Sequence, residues 1–190
     1  MDHYNRYKDK IFTIPNALTM LRILLLPVFA YSYLTAASGS DYLIAALILV
    51  ICSLTDLIDG KVARAFGMIS DFGKLLDPVA DKLTHLVIAL CLCTNYPPMK
   101  YVVALIFIKE GCMFLFCLYG HFKGQIWDSA QWYGKVSTAI VFTGFVLLAL
   151  SPQMPPHMAH TIETVCILFL GFSFVMYARE FISLNKKEKE

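Results

Sequence analysis

The sequence predicts an all-α polytopic membrane protein, with six transmembrane helices preceded by a short N-terminal interfacial helix. Three observations lead there. Of 190 residues, 58% are hydrophobic and 16% charged, against about 45–50% and about 25% in soluble domains. The apolar residues gather into long blocks, six in number, each near the ~20 residues that cross about 30 Å of hydrocarbon. The basic residues lie almost entirely on one side of those blocks. This pattern excludes a soluble enzyme, a disordered tail and a secreted disulfide framework.

The elements follow in order. In residues 1–13, Tyr4, Tyr7, Ile11 and Phe12 recur at helical spacing, with Asn5, Arg6, Lys8 and Asp9 between them. That pattern predicts an amphipathic helix in the membrane interface, after which Ile14-Pro15-Asn16 turns the chain inward. No signal cleavage site follows the polar start, so the first apolar block is expected to stay in the mature chain. The predicted spans are 14–35, 41–60, 79–96, 99–120, 134–152 and 158–180, within a membrane domain of residues 14–182. Ser38-Gly39-Ser40, Asn95-Tyr96-Pro97-Pro98 and the stretch from Pro152 to Pro156 break the chain between them. The second block runs instead into a charged stretch, Asp56 to Lys82. Residues 183–190 read as a polar C-terminal tail.

Orientation comes from the basic residues. With the N-terminus inside, the cytoplasmic ends receive Arg6, Lys8, Lys10, Arg22, Lys61, Arg64, Lys74, Lys82, Lys123, Lys135, Arg179, Lys186, Lys187 and Lys189. Only Lys100 falls outside, while Lys109 lies within the fourth block. Both termini are therefore expected in the cytoplasm; the membrane expected is a bacterial inner membrane. The net charge of +2 specifies no partner. No run of Lys and Arg interleaved with stacking residues marks a nucleic-acid surface, so no nucleic acid is expected. Cys52, Cys91, Cys93, Cys112, Cys117 and Cys166 all sit in apolar blocks and read as small embedded hydrophobes. The spacing of Cys91 and Cys93 does not suit a structural zinc site.

The charged stretch carries the chemistry. Asp56 and Asp59 are three apart and share a helical face with Gly60, Ala63 and Arg64. After a break at Phe66 to Ile69, Ser70 reads as the N-cap of a helix bearing Gly73, Asp77 and Asp81 at spacings of four. Pro78 requires that helix to start nearby or to bend. Two such helices would gather four carboxylates near one rim of the membrane. Unpaired, the acids would repel and their burial would be costly. Divalent cations resolve both problems, and all-oxygen ligands suit two Mg²⁺ or Mn²⁺ ions better than zinc. Two ions about 3.5–4 Å apart clamp the attacking and leaving oxygens of phosphoryl transfer. The small residues leave room for a bulky ligand, and Arg64 has the fork to meet a phosphate. Ion or proton transport, and a non-catalytic scaffold, are the competing readings of such acids.

The pattern Asp56-x2-Asp59-Gly60-x2-Ala63-Arg64-x8-Gly73-x3-Asp77-x3-Asp81 resembles the complete motif of the CDP-alcohol phosphotransferases. The resemblance implies a six-helix membrane enzyme that moves a phosphatidyl group from CDP-diacylglycerol to an alcohol and releases CMP. It implies two divalent metals on Asp56, Asp59, Asp77 and Asp81, with Asp81 as the base for the acceptor hydroxyl. Cytidine diphosphate contacts are implied at Asp56, Gly60, Ala63, Arg64, Gly73 and Asp77, and a homodimer is usual.

Within that family the chain is most similar to phosphatidylglycerophosphate synthases, through Ile14-Pro15-Asn16-Ala17-Leu18-Thr19-x2-Arg22 and Asp71 to Lys82. Those enzymes carry Arg-Glu in the fourth span, where this chain has Lys109-Glu110. They carry Gly-Lys-x-Lys-Thr opening the fifth, where it has Gly134-Lys135-Val136-Ser137-Thr138. Cardiolipin synthases of the same superfamily, which use phosphatidylglycerol as acceptor, share much of the opening pattern. The expected acceptor is glycerol 3-phosphate, whose dianion needs cations; Arg22, Lys82, Lys109 and Lys135 are the candidates. An ordinary ion pair for Lys109 and an interface anchor for Lys135 are the plainer alternatives.

Overall fold

The computed structural model describes residues 13–66, 70–122 and 131–187. The side chains of Asp56, Asp59, Gly60, Ala63 and Arg64 fall outside the described set, as does the expected interfacial helix apart from Thr13. Six α-helices make up the described residues: α1 (Ile14–Leu34), α2 (Gly39–Phe66), α3 (Asp71–Leu92), α4 (Met99–Phe122), α5 (Trp132–Leu150) and α6 (Pro156–Lys187). The all-α class stands, but the expectation of six transmembrane helices does not. Among the described residues only Ile14–Leu34, Trp132–Leu150 and Pro156–Ser183 are long and apolar enough to cross a membrane.

The reason is where the charges fall. The apolar part of α2 is Gly39–Thr55, about 25 Å at 1.5 Å per residue and short of a ~30 Å core. Helix α3 carries Asp77, Asp81 and Lys82 in its body, and α4 carries Lys100, Lys109 and Glu110. Reading apolar blocks across those residues overcounted the spans. The three qualifying helices mark an integral membrane protein.

The chain divides into two compact units, Met1–Cys91 with Ala149–Pro152, and Leu92–Leu148 with Gln153–Glu190. In the first, α1 packs along α2. Helix α1 begins at Thr13, an extended N-cap whose Oγ1 accepts from the Asn16 N–H at 3.3 Å, with Pro15 in the first turn where its missing N–H costs nothing. Its buried face is Asn16, Thr19, Arg22, Leu26, Phe29 and Tyr33, a stripe at steps of three and four. The opposite face, Leu21, Leu24, Val28 and Tyr31, is apolar and exposed. A helix that turns polar groups inward and leucines outward is suited to hydrocarbon as its surroundings.

Helix α2 opens on a cap made by the Asp41 carboxylate. Asp41 Oδ2 accepts from the backbone N–H groups of Ala37 and Ser38 at 3.0 and 2.9 Å and from the Ser38 hydroxyl at 2.8 Å. Those bonds, the Ser38 hydroxyl foremost, hold the Asp41 carboxyl below its ordinary range. Ser70 caps α3 as expected, its Oγ accepting the Gly73 N–H at 3.0 Å. Pro78 lies inside α3, so the helix runs through it instead of starting there.

In the second unit α4 packs on α6, with Phe116 stacked on Phe181 at 4.2 Å between ring centroids. The Ser137 hydroxyl of α5 donates to the Phe169 carbonyl of α6 at 3.0 Å. The polar residues Asn185, Lys186 and Lys187 form the last helical turn of α6.

Candidate active site

The first unit brings α1 and α3 together along a ladder of polar contacts. Asn16 Nδ2 donates to Ser70 Oγ at 2.9 Å. One turn on, the Thr19 hydroxyl donates to Asp77 Oδ1 at 2.9 Å. One turn further, Arg22 Nη1 donates to Asp81 Oδ1 at 2.6 Å. The rungs advance by three residues on α1 and by four on α3 between Asp77 and Asp81. Both numbers rise together, so the two helices run parallel.

On the α1 side every rung is buried. Asn16, Thr19 and Ser70 are buried. The Arg22 side chain is 2% exposed, whereas that of Asp81 is 51% exposed. Arg22 thus enters from the protein side and engages one carboxylate oxygen, while Asp81 keeps half its surface outward. A guanidinium so far out of water needs a charge partner, and Asp81 is one. His85, one turn beyond, sets its Nδ1 2.8 Å from the Asp81 carbonyl.

Gly73 explains itself in this frame. A Cβ there would lie 2.5 Å from Asn16 Oδ1 and 3.1 Å from Ser70 Oγ. The space that glycine leaves is taken up by α1, which lets the first rung form.

The other predicted residues are placed as follows. Asp56, Asp59, Gly60, Ala63 and Arg64 all lie in the helical run of α2, which preserves their predicted spacing. Lys82 is exposed beside Asp81. In the second unit Lys109 is 9% exposed and its Nζ meets Glu110 Oε1 at 3.0 Å; Lys135 is exposed at the start of α5. Sequence reasoning quoted Asn16 and Thr19 without assigning them a role. Their signal was present: Asn16, Thr19 and Arg22 repeat every three residues in an otherwise apolar helix.

The donor set suits a hard divalent cation. Asp77 and Asp81 lie one turn apart on α3, and each is oriented through one oxygen by a neighbour from α1. Carboxylate and hydroxyl oxygens are the ligands that Mg²⁺ and Mn²⁺ take. Among the described residues no three His, Cys, Asp or Glu side chains gather; Asp56 and Asp59, the other two of the expected four, lie outside that set.

Comparison with known proteins adds independent findings. A probable phosphatidylglycerophosphate synthase of Mycobacterium tuberculosis is 30% identical over 167 residues, covering 86% of this chain and 78% of that protein. A CMP-forming cardiolipin synthase of Streptomyces coelicolor is 31% identical over 146 residues, 75% of this chain and 67% of that protein. A CDP-diacylglycerol–glycerol-3-phosphate 3-phosphatidyltransferase of Rickettsia felis is 41% identical over 70 residues, 37% of this chain and 38% of that protein. The family model described as CDP-alcohol phosphatidyltransferase matches residues 12–177, which takes in the whole α1–α3 ladder. The chain belongs to the CDP-alcohol phosphatidyltransferase family.

Proposed function

We propose that the protein transfers the phosphatidyl group of CDP-diacylglycerol to glycerol 3-phosphate, yielding phosphatidylglycerophosphate and CMP. The observation that carries the reading is the pair Asp77 and Asp81, held on successive turns of α3 by Thr19 and Arg22. It is supported by the 30% identity, over most of both chains, to a probable phosphatidylglycerophosphate synthase. Asp56, Asp59, Asp77 and Asp81 would hold two Mg²⁺ or Mn²⁺ ions, whose chemistry when bound is to offset the charge of the pyrophosphate and of the departing CMP.

The chain's own residues do the rest. Gly60, Ala63 and Arg64, with Asp56 and Asp77, contact cytidine diphosphate, Arg64 matching a phosphate with its planar fork; Gly73, expected to do the same, has its open side filled by Asn16 instead. Asp81 accepts the proton of the acceptor hydroxyl through the carboxylate face that Arg22 leaves outward. The hydroxyl oxygen bonds to the phosphatidyl phosphorus, the bond from that phosphorus to the CMP oxygen breaks, and CMP departs with the electron pair. Lys82, exposed beside Asp81, supplies positive charge for the acceptor's phosphate, and the site opens to the cytoplasmic side. Both substrates are held at one membrane surface, which supplies much of the rate advantage.

The Streptomyces relative favours a second reading, cardiolipin synthesis with phosphatidylglycerol as acceptor. One experiment separates them. Purified protein is given CDP-diacylglycerol and Mg²⁺ or Mn²⁺, with glycerol 3-phosphate or phosphatidylglycerol, and CMP release is measured. The proposal expects release with glycerol 3-phosphate, and loss of it in Asp81→Asn. Release with phosphatidylglycerol alone would transfer the chain to the second reading, and release with neither would defeat both.

A further inference from the structure

The second unit carries a cleft that no step of the phosphatidyl transfer uses. Its walls are α5 and α6, which run antiparallel: the Tyr133 hydroxyl donates to Glu180, Ser137 meets the Phe169 carbonyl, and Gly144 lies beside Cys166. Ala139, Thr143 and Leu147 form one rim and Thr161 and Val165 the other, around a space of about 340 Å³. The rims are exposed, whereas Gly144 and Cys166 at the floor are buried. A Cβ at Gly144 would lie 2.8 Å from the Cys166 Sγ, so the helices touch at the floor and part above it.

Both walls are helices long and apolar enough to cross a membrane, so the medium over the cleft is hydrocarbon. At the start of α5, Trp132 is 65% exposed and Lys135 is exposed, residue types that mark the boundary between membrane and water. Lys135, Ala139, Thr143 and Leu147 then follow at intervals of four along one row of the helix. At about 1.5 Å per residue, the cleft runs from about 6 to about 18 Å beyond Lys135 along the helix. That is the reach of the acyl chains within one leaflet of a core about 30 Å thick.

The lining adds the chemistry. The Thr143 hydroxyl donates to the Ala139 carbonyl and the Thr161 hydroxyl to the His157 carbonyl, both at 2.8 Å, so neither has a hydrogen left for a ligand. Water would find too few partners there to stay. A helix of a second copy, about 10–12 Å across, would rest on the rims and leave Gly144 and Cys166 without contacts, forfeiting dispersion energy. A chain one methylene wide reaches the floor.

We propose that the cleft between α5 and α6 is a seat for one acyl chain of a membrane phospholipid. The occupant is a resident lipid of the surrounding leaflet, distinct from the substrate. The inference rests on the membrane assignment of α5 and α6 and on no reading of the transfer site. Because the chain leaves one apolar medium for another, the seat selects by shape and packing, not by hydrophobic transfer.

The test uses the full chain in bilayers that contain a phospholipid with a photoreactive diazirine within its acyl chain. After illumination, adducts are mapped by peptide mass spectrometry. Labelling per residue over 139–147 and 161–166 should exceed that at Leu24 and Val28, exposed apolar residues of α1, by roughly fivefold. Filling the cleft with Ala139→Leu/Thr143→Leu should return it to the α1 level, and excess CDP-diacylglycerol should leave the parent pattern unchanged. Equal labelling of the cleft and α1 would overturn the proposal, whether or not the double variant folds. So would displacement of the label by CDP-diacylglycerol, which would give the cleft to the substrate's own chain. Loss of labelling at high protein-to-lipid ratio would also overturn it, by placing a second copy over the cleft.

Discussion

Replacing Arg22 by Met removes the guanidinium from the third rung while keeping a side chain of similar length. The charges it separates are 2.6 Å apart, which corresponds to about 1.6 kcal/mol of attraction at the dielectric of water and about 6 kcal/mol at an effective value of 20. Arg22 is 2% exposed but Asp81 is 51% exposed, so solvent screening pulls the interaction towards the lower figure. About 2 kcal/mol is a reasonable working value, or roughly 30-fold in the population of Asp81 conformations that the pair selects. If Asp81 must sit where Arg22 holds it, Arg22→Met lowers kcat for CMP release by roughly 10- to 100-fold at saturating substrates. The KM for acceptor should change little. A ligand of the acceptor phosphate would behave in the opposite way, with KM raised and kcat recovered at high acceptor concentration. Arg22→Lys retains the charge without the rigid fork and should fall between. A kcat for Arg22→Met within twofold of the parent, in protein that unfolds at the same temperature, would refute the positioning argument.

Two further outcomes follow from the other rungs. Thr19→Val deletes the hydroxyl that donates to Asp77 at 2.9 Å; at about 1 kcal/mol for such a bond, the Mg²⁺ or Mn²⁺ concentration for half-maximal CMP release should rise roughly fivefold, and overlaid metal-activation curves would show that Thr19 does not set Asp77. Gly73→Ala drives a Cβ to 2.5 Å from Asn16 Oδ1, an overpacking cost of about 1–3 kcal/mol that thermal unfolding should register; adding Asn16→Ala should recover part of it, and an unshifted Gly73→Ala would show that α1 and α3 approach less closely than the ladder requires.

Much of this was legible in the sequence, for reasons that differ by residue. Helix positions followed from apolar runs and breakers, and Ser70 was readable as a cap because the helix after it needs an acceptor for its early N–H groups. The number of membrane crossings was misread for a physical reason. The same blocks that look like spans carry Asp77, Asp81 and Lys82, or Lys109 and Glu110, in their bodies, and the apolar stretch of α2 is too short by itself. The acids were legible through their spacing within one helix. Their partners were not, because Thr19 and Arg22 meet them across 58 and 59 residues, and nothing local to either helix says which faces pair. The Tyr133–Glu180 contact, 47 residues apart, had no comparable signal: unlike the three-residue repeat of α1, it has no periodic trace.

The ladder also sets an order of events in biosynthesis. Arg22 is made 59 residues before Asp81, about 3 to 12 seconds at ~5–20 residues per second. During that interval α1, one of the three helices that are long and apolar enough to cross a membrane among the described residues, has been synthesised, while the carboxylate that will face its arginine has not. A buried guanidinium without a charge partner is costly, so the third rung, and with it the final packing of the polar face of α1, closes only after α3 has been made.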